Sequence, residues 1–553
     1  MTENTVVYPA RVIHTMNPAR PTATHLAVRG DRIVAVGSAG DMPAGADVRV
    51  DTRFAGDVLC PGFVEAHGHV MTGALWQYTY TGFYPRRSPT GDRLPGYPTI
   101  DAVIALLSEA DAAMTDPGEP LYAWGFDPLF LDGPRLSAAD LDRVSRTRPI
   151  FVLHASHHAA TVNGALMTAD GIGPGTGVEG VVRDGTGALT GELRESAAMQ
   201  LALSAYGMRI GAADETSLRL YAADAAGAGV TTVTDLAALD VFTADGAARY
   251  SRTVHEDGFP ARIVPFQLGQ LAGARTVEEA AELLREARKR SGDRLWLGGV
   301  KLILDGSIQG FTARLLPPGY LDRDENGIWF TAPDEFERLL RIFLGAGALV
   351  HVHCNGDEAT ELLLDVAERA LDDLPPADHR LTVEHSQLTT PEQYRRMARL
   401  GIGANLFVNH IRYWGDQHAD RTVGPERAAR MNAAASALRA GVTVSLHSDT
   451  PVTPMNPLAT IAIAATRRTA SGRVLGLEEA LTVAEGLEAV TLGAARLLKA
   501  EDRIGSLEPG KLADLVALAA DPLDVADPAD VEHIAVRATV VGGRVHPRRE
   551  GSS

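Results

Sequence analysis

Cysteine is nearly absent: 553 residues hold only Cys60 and Cys354. Two thiols cannot staple a chain of this size, so a disulfide-framed secreted scaffold is excluded and a reducing compartment, the cytoplasm, is the expected location. Either thiol reads as a small buried hydrophobe. Long apolar runs are missing too. None approaches the roughly 20 residues that span a bilayer, and the opening "MTENTVVYPARV" lacks the basic start and continuous apolar stretch of a secretory signal. No membrane partner is expected. Basic tracts are the third absence. With 52 Lys and Arg against 70 Asp and Glu the net charge is −18, and no stripe of one sign attracts phosphates, so nucleic acid is not an expected partner. Internal repeats and low-complexity tracts are also lacking.

What is present is an ordinary globular composition, 45% hydrophobic and 22% charged, on a chain longer than one core usually serves. Both ends alternate short β-branched runs with turn residues: "HLAVRGDRIVAVG" and "VRVDTRFAG" early, "ADLVALAADP" and "IAVRATVVGGRVH" late. Neither end has strands enough to stand alone. Residues 1–58 and 503–553 are therefore predicted to pair into one small composite β-sandwich domain, with a frayed tail at "HPRREGSS". Between them, residues 59–502 alternate apolar runs with amphipathic helices, the pattern of parallel βαβ units. Eight candidate strands occur: "DVLCPGFVEAH", "GVTTVTDLA", "ARIVPFQ", "LGGVKLILDG", "ALVHVHCNGD", "RLTVEHSQ", "IGANLFVN" and "VTVSLHSDTPV". Eight is the number that closes a (β/α)8 barrel of the TIM type, so the fold class is α/β. The stretch from about residue 75 to 228 is then an insertion after the first barrel strand. Rich in aromatics, His and Gly, it is expected to cap one barrel face.

Such barrels collect chemistry where strands end. The residues found there are His67 and His69, Lys301, His353, His385 and Asp449. His67 and His69 are two apart on a strand and share a face. Imidazole and carboxylate together suit a divalent transition metal, whereas gathering them without one leaves costly buried polar groups. The pattern points to a divalent metal, zinc first, with iron, manganese or nickel fitting similar donors.

The order HxH, Lys, His, His, Asp on an eight-strand barrel between split β ends resembles the amidohydrolase superfamily. "VLCPGFVEAHGHV", "VKLILDGSIQGFTARL", "HVHCNGDEA", "TVEHSQ", "HSDTPVTPMNP" and "GSLEPGKLADLVAL" are similar to the YtcJ-like, amidohydrolase 3 branch, which includes N-substituted formamide deformylase. The resemblance covers nearly the whole chain. It implies that His67, His69, His353, His385 and Asp449 are metal ligands and that Lys301 is carboxylated to bridge two ions, an unmodified lysine being a cation and no ligand. The bare alternative is Lys301 as partner of a nearby Asp. His351, on the face of His353, reads as a core residue deeper in the barrel, and His447 as a neighbour of the site that is not a ligand.

The reaction implied is hydrolysis of a non-peptide carbon–nitrogen bond in an amide or formamide by metal-activated hydroxide. The metal lowers the pKa of its water to about 7, and Asp449 serves as the general base that then protonates the leaving nitrogen. Catalysis is assigned to Asp449 and Lys301. A mononuclear deaminase or other cyclic-amide amidohydrolase is the nearest alternative; such sites carry a Glu soon after the fifth-strand histidine, and here the first is Glu358. A non-catalytic scaffold is the third reading, opposed by the full set of ligands. The small-molecule substrate is expected to meet His158, Trp124 and Asp127 in the insertion, Phe311 and Arg314 after strand four, and Trp414 after strand seven, with Asn163 and Tyr413 further candidates for the wall. Many branch members read DGSLGSRTA where this chain reads "DGSIQGFTA", so Phe311 stands at a usual Arg. A homodimer is expected by base rate and family habit.

Overall fold

The computed structural model describes residues 4–116, 118–131, 133–204, 214–269, 276–374 and 378–547; most of the tail expected to fray, from residue 548, lies outside them. The described residues fall into two compact units, one taking those in Met1–His69, Ala222–Asp305 and Ala313–Glu550, the other those in Val70–Tyr221 and Gly306–Thr312.

All eight predicted barrel strands form in the first unit. In chain order they are β1 (Phe63–Glu65), β2 (Val230–Ala238), β3 (Arg262–Leu268), β4 (Gly299–Ile303), β5 (Leu349–Cys354), β6 (Thr382–His385), β7 (Gly403–Leu406) and β8 (Val444–Leu446). Each pairs in parallel with the next. Between β8 and β1 the ladder shrinks to a parallel bridge from Gly68 to Thr450, so the barrel is nearly closed. There the His69 N–H donates to the Thr450 carbonyl at 3.0 Å.

The intervening helices follow from their sequences. In Pro333–Gly345 the buried Phe336, Leu339, Leu340 and Phe343 recur at helical spacing and face the barrel-side core. Thr276 caps Val277–Arg288 through its hydroxyl, and a Thr390/Gln393 capping box opens Pro391–Leu400, which ends at left-handed Gly401. No helix among the described residues is long and apolar enough to cross a membrane.

The first predicted strand divides. Val58–Pro61 pairs with Thr5–His14 and Leu515–Leu518, and only Phe63–Glu65 enters the barrel. Gly62 lies at the switch, where a Cβ would sit 2.2 Å from the Thr231 side chain of β2; the chain passes because glycine has none.

The terminal β-domain is built from both ends as expected, and its sandwich is made from one continuous sheet. The order is Arg544–Pro547, Val536–Val541, Leu515–Leu518, Val58–Pro61, Thr5–His14, Thr22–Arg29, Arg32–Gly37, with Val48–Val50 alongside Thr5–His14. The sheet curls until its Arg32–Gly37 edge meets the segment that leads into Leu515–Leu518. The Ile33 N–H donates to the Lys511 carbonyl at 2.9 Å and the Gly510 N–H to Ile33 at 2.8 Å, enclosing Ile13, Leu26, Leu59, Leu515 and Val540 in one core.

The second unit is a six-stranded sheet ordered Val181–Arg183, Leu189–Arg194, Ala159–Val162, Ile150–His154, Leu121–Phe126, Thr79–Tyr80. Its two hydrophobic clusters centre on Trp124, Phe151 and Leu153 on one side and Leu107, Leu141 and Val152 on the other.

Candidate metal centre

Strand ends gather the predicted donors in the first unit. The Asp449 carboxylate stands among three imidazoles: Oδ1 is 3.3 Å from His67 Nε2 and 3.2 Å from His69 Nε2, and Oδ2 is 3.8 Å from His385 Nδ1. His353 is next to them, its ring centroid 4.4 Å from that of His385. Its Nε2 lies 3.0 Å from the Asn355 amide and 3.8 Å from Asp305. Lys301 pairs in register with His351, and Ile303 with His353, placing the lysine one layer down.

Two of these donors, and the Ser386 that follows one of them, hold unusual backbone. His385 has φ 67°, Ser386 φ 47° and Asp449 φ 51°, left-handed conformations that cost about 1–3 kcal/mol each when imposed on non-glycine residues. The effect is geometric. Strand alternation turns Glu384 and His385 to opposite faces, yet the reversal at His385 brings both to the same cluster.

Glu384 is the organising residue that the sequence reading missed. Fully buried, it accepts from His67 Nδ1 through Oε2 and from His351 Nδ1 through Oε1, both at 2.5 Å, while the Asn405 amide donates to Oε2 at 2.8 Å. Its bond to Nδ1 fixes the His67 tautomer and leaves Nε2 facing Asp449, the usual support for a metal-bound imidazole. Replacing it, Glu384→Gln, is expected to weaken metal binding by about 10- to 100-fold in competition with a chromophoric chelator; unchanged affinity would make Glu384 a packing residue only. Glu65 was missed as well. It accepts the Ser448 N–H at 3.0 Å and hydroxyl at 2.6 Å, tying β1 to the residue before Asp449. Burial pushes its pKa up to about 8. Both carboxylates sat in view, in "GFVEAHGHV" and "TVEHSQ", within two residues of a predicted ligand.

The electrostatics suit ligation. Burial, then Lys301, holds the His67 pKa well below its ordinary value, and burial, then His353, does the same for His385; both are neutral imidazoles with a lone pair to give. Burial pushes the Asp449 carboxyl up, but the His69 hydrogen bond and the charges of His69, His447 and Lys301 outweigh it and hold the group well below the usual carboxylate range. Lys301 is pushed down to about 8 by burial, against the pull of Glu384 and Asp449.

Several buried polar atoms here have no hydrogen-bond partner among the described residues: His69 Nδ1, His385 Nδ1, both nitrogens of His447 and Lys301 Nζ. Such atoms cost about 1–3 kcal/mol each. Donor atoms of His67, His69 and Asp449 lie within 4.8 Å of one another, as do those of His67, His385 and His447. A divalent cation fits this donor set.

The candidate substrate residues are dispersed. In the second unit, His158 and Asp127 line an open cleft with Arg135, His154, Glu192 and Glu195. His158 Nδ1 is 2.8 Å from Glu195 Oε2, and Asp127 accepts the Leu129 N–H. Trp124 is in that unit's core, against Trp76 and Tyr80, and Asn163 caps the helix Gly164–Ala169. Phe311 is half-buried with φ 59°. In the first unit, Arg314 forks onto Glu358 with two 3.0 Å bonds, which also removes Glu358 as a free proton shuttle. Trp414 is buried on the helix Asn409–Gln417, beside half-buried Tyr413.

Known proteins resemble this chain over most of its length. A family described as an amidohydrolase family matches residues 55–546. The N-substituted formamide deformylase of Arthrobacter pascens is 27% identical over 555 residues, covering 98% of each chain. Protein LONG AFTER FAR-RED 3 of Arabidopsis thaliana is 27% identical over 544 residues, covering 96% of this chain and 90% of its own. The crystal structure of an uncharacterized metal-dependent hydrolase from Pyrococcus horikoshii OT3 shares the fold, with a TM-score of 0.70 at 19% identity over 94% of this chain and 99% of that one.

Proposed function

The chain belongs to the amidohydrolase family, and from that premise we propose that it is a metal-dependent hydrolase cleaving a non-peptide carbon–nitrogen bond in an amide or formamide. The observation that carries the reading is the meeting of His67, His69 and His385 on the Asp449 carboxylate. His67, His69, His353, His385 and Asp449 would hold one or two divalent ions, zinc first. A bound divalent metal supplies Lewis acidity, polarising a carbonyl and lowering the pKa of water.

The protein's own groups do the rest. Asp449 is ionised at neutral pH, so it is a proton acceptor from the start, taking the proton of the attacking water and returning it to the leaving nitrogen. Glu384 keeps His67 in one tautomer. Lys301 is buried with its Nζ unpartnered among the described residues, and burial lowers its pKa to about 8, which raises the fraction of neutral amine able to add carbon dioxide with release of a proton. The resulting carbamate is an oxygen donor in place of a cation. Of the candidate substrate residues, His158 and Asp127 line an open cleft of the second unit, whereas Trp124 and Trp414 are enclosed and Arg314 is engaged by Glu358.

The test is metal content per chain by plasma mass spectrometry after expression with bicarbonate, followed by hydrolysis assays on formamides, N-acyl amines and cyclic amides. About two ions support the carboxylated Lys301, and about one points to a mononuclear hydrolase. No metal after reconstitution, or no hydrolysis of any of these classes by the loaded protein, overturns the reading.

A further inference from the structure

We propose that the open cleft of the second unit binds a primary alkylammonium group, with Glu195 as its counter-ion and Gln309 as a second acceptor. The proposal stands on residues of that unit alone and is independent of the hydrolase reading.

Two buried oxygens in the wall of this cleft have no hydrogen-bond partner among the described residues, Glu195 Oε1 and Gln309 Oε1. Their residues are only 7% and 9% exposed. A carboxylate and an amide oxygen can only accept, so the atom that satisfies them must bring N–H or O–H groups. Leaving a buried acceptor unmet is costly, and more so for a charged one.

The fold holds Glu195 in place for this task. Its N–H donates to the His158 carbonyl at 2.7 Å, and its Oε2 lies 2.8 Å from His158 Nδ1. One oxygen is thereby spoken for and the other left open. The backbone at Glu195 is left-handed, with φ 61°, a conformation that costs about 1–3 kcal/mol in a non-glycine residue and gathers at ligand sites. Opposite runs the segment Gly306–Thr312, which belongs to the same unit and carries Gln309. A Cβ on Gly306 would stand 2.9 Å from Glu195 Oε1 and 2.2 Å from Thr312 Oγ1, so glycine keeps the loop clear of the open oxygen.

Charge selects a cation. Arg135 forks onto Glu192 at 2.8 and 2.5 Å, and Arg194 donates to the same carboxylate at 3.0 Å. Burial pushes the Glu192 carboxyl up, but Arg135 outweighs it and brings the pKa down to about 2. Both guanidinium groups are thus committed to one ionised partner. His154 is held neutral, its pKa lowered to about 4 by burial, and its Nε2 lies 2.8 Å from the Thr161 hydroxyl. With the histidines neutral, Asp127, Glu192 and Glu195 against Arg135 and Arg194 leave the lining one negative charge in excess. Among the described residues, the donor groups tight enough for a metal ion both lie at the barrel strand ends. An organic cation with several N–H donors fits better here, and a primary ammonium carries three.

The test is ligand-observed saturation-transfer titration of the full chain with n-butylammonium chloride and with 1-butanol, its neutral counterpart. Wild type is expected to bind the ammonium at least about tenfold tighter than the alcohol, and Glu195→Gln to erase that preference. Equal affinity for the two probes, no binding of the ammonium, or an undiminished preference in Glu195→Gln overturns the proposal, and none of these touches the metal centre. n-Butyltrimethylammonium keeps the charge and lacks N–H donors. It should bind at least about threefold more weakly than the primary ammonium, and equal or tighter binding refutes recognition through hydrogen bonds. If Glu195→Gln does not fold, Gln309→Leu takes its place: a loss of about threefold or more in ammonium affinity supports the site, and unchanged affinity refutes it.

Discussion

Asp449→Asn is expected to lower kcat by about 10²- to 10⁴-fold, the span of a lost general acid–base group. The variant suits the question because asparagine tolerates the left-handed backbone that Asp449 adopts at φ 51°. Alanine there adds strain and confuses a chemical loss with a structural one. The amide keeps the size of the carboxylate but cannot take the proton, and it removes the negative charge facing His67, His69 and His385. Metal content must therefore be measured beside turnover. Loss of turnover at retained metal identifies Asp449 as the proton carrier. Full turnover at retained metal removes it from that role, and loss of both places its main weight on ligation.

The largest effect on stability is expected far from the chemistry. Arg262 in β3 and Asp514, next to the terminal strand Leu515–Leu518, form a buried fork at 2.6 and 2.8 Å, and Arg262 also donates to the Asp293 carbonyl at 2.6 Å. Both side chains are at most 3% exposed. Arg262→Ala strands a carboxylate in the interior and should cost about 3–5 kcal/mol, read as a lower urea midpoint. The double replacement Arg262→Met with Asp514→Leu should recover most of that, because the cost lies in the uncompensated charge and not in the loss of attraction. It will not recover all, since the Gly542 N–H also donates to Asp514. A single variant within about 0.5 kcal/mol of wild type would show that water reaches the carboxylate.

What the sequence determined by itself was everything encoded in local period and spacing. Apolar runs between amphipathic helices marked all eight strands, and two-residue spacing put His67 and His69 on one face. Donor-type residues at the ends of separate strands marked the site. Those signals survive because a parallel strand buried on both faces must be apolar, and polar residues at its end then stand out.

Tertiary structure decided the rest, wherever the deciding partner is distant in sequence. That Val58–Pro61 belongs to the terminal sheet depends on Leu515–Leu518, more than 400 residues away. The same distance hid the curl of that sheet, closed by residues 510 and 511 against Ile33. Glu384 reads as an ordinary strand residue until His67 and His351 arrive on its two oxygens. The backbone reversal at His385 defeats the alternation rule where it matters most. His447 reads as a bystander by family pattern, and only the folded chain reveals it stacked between His67 and Phe407 with both ring nitrogens buried and unmet among the described residues. Period is a property of neighbours along the chain, whereas hydrogen-bond satisfaction is a property of neighbours in space, and only the folded molecule defines the second.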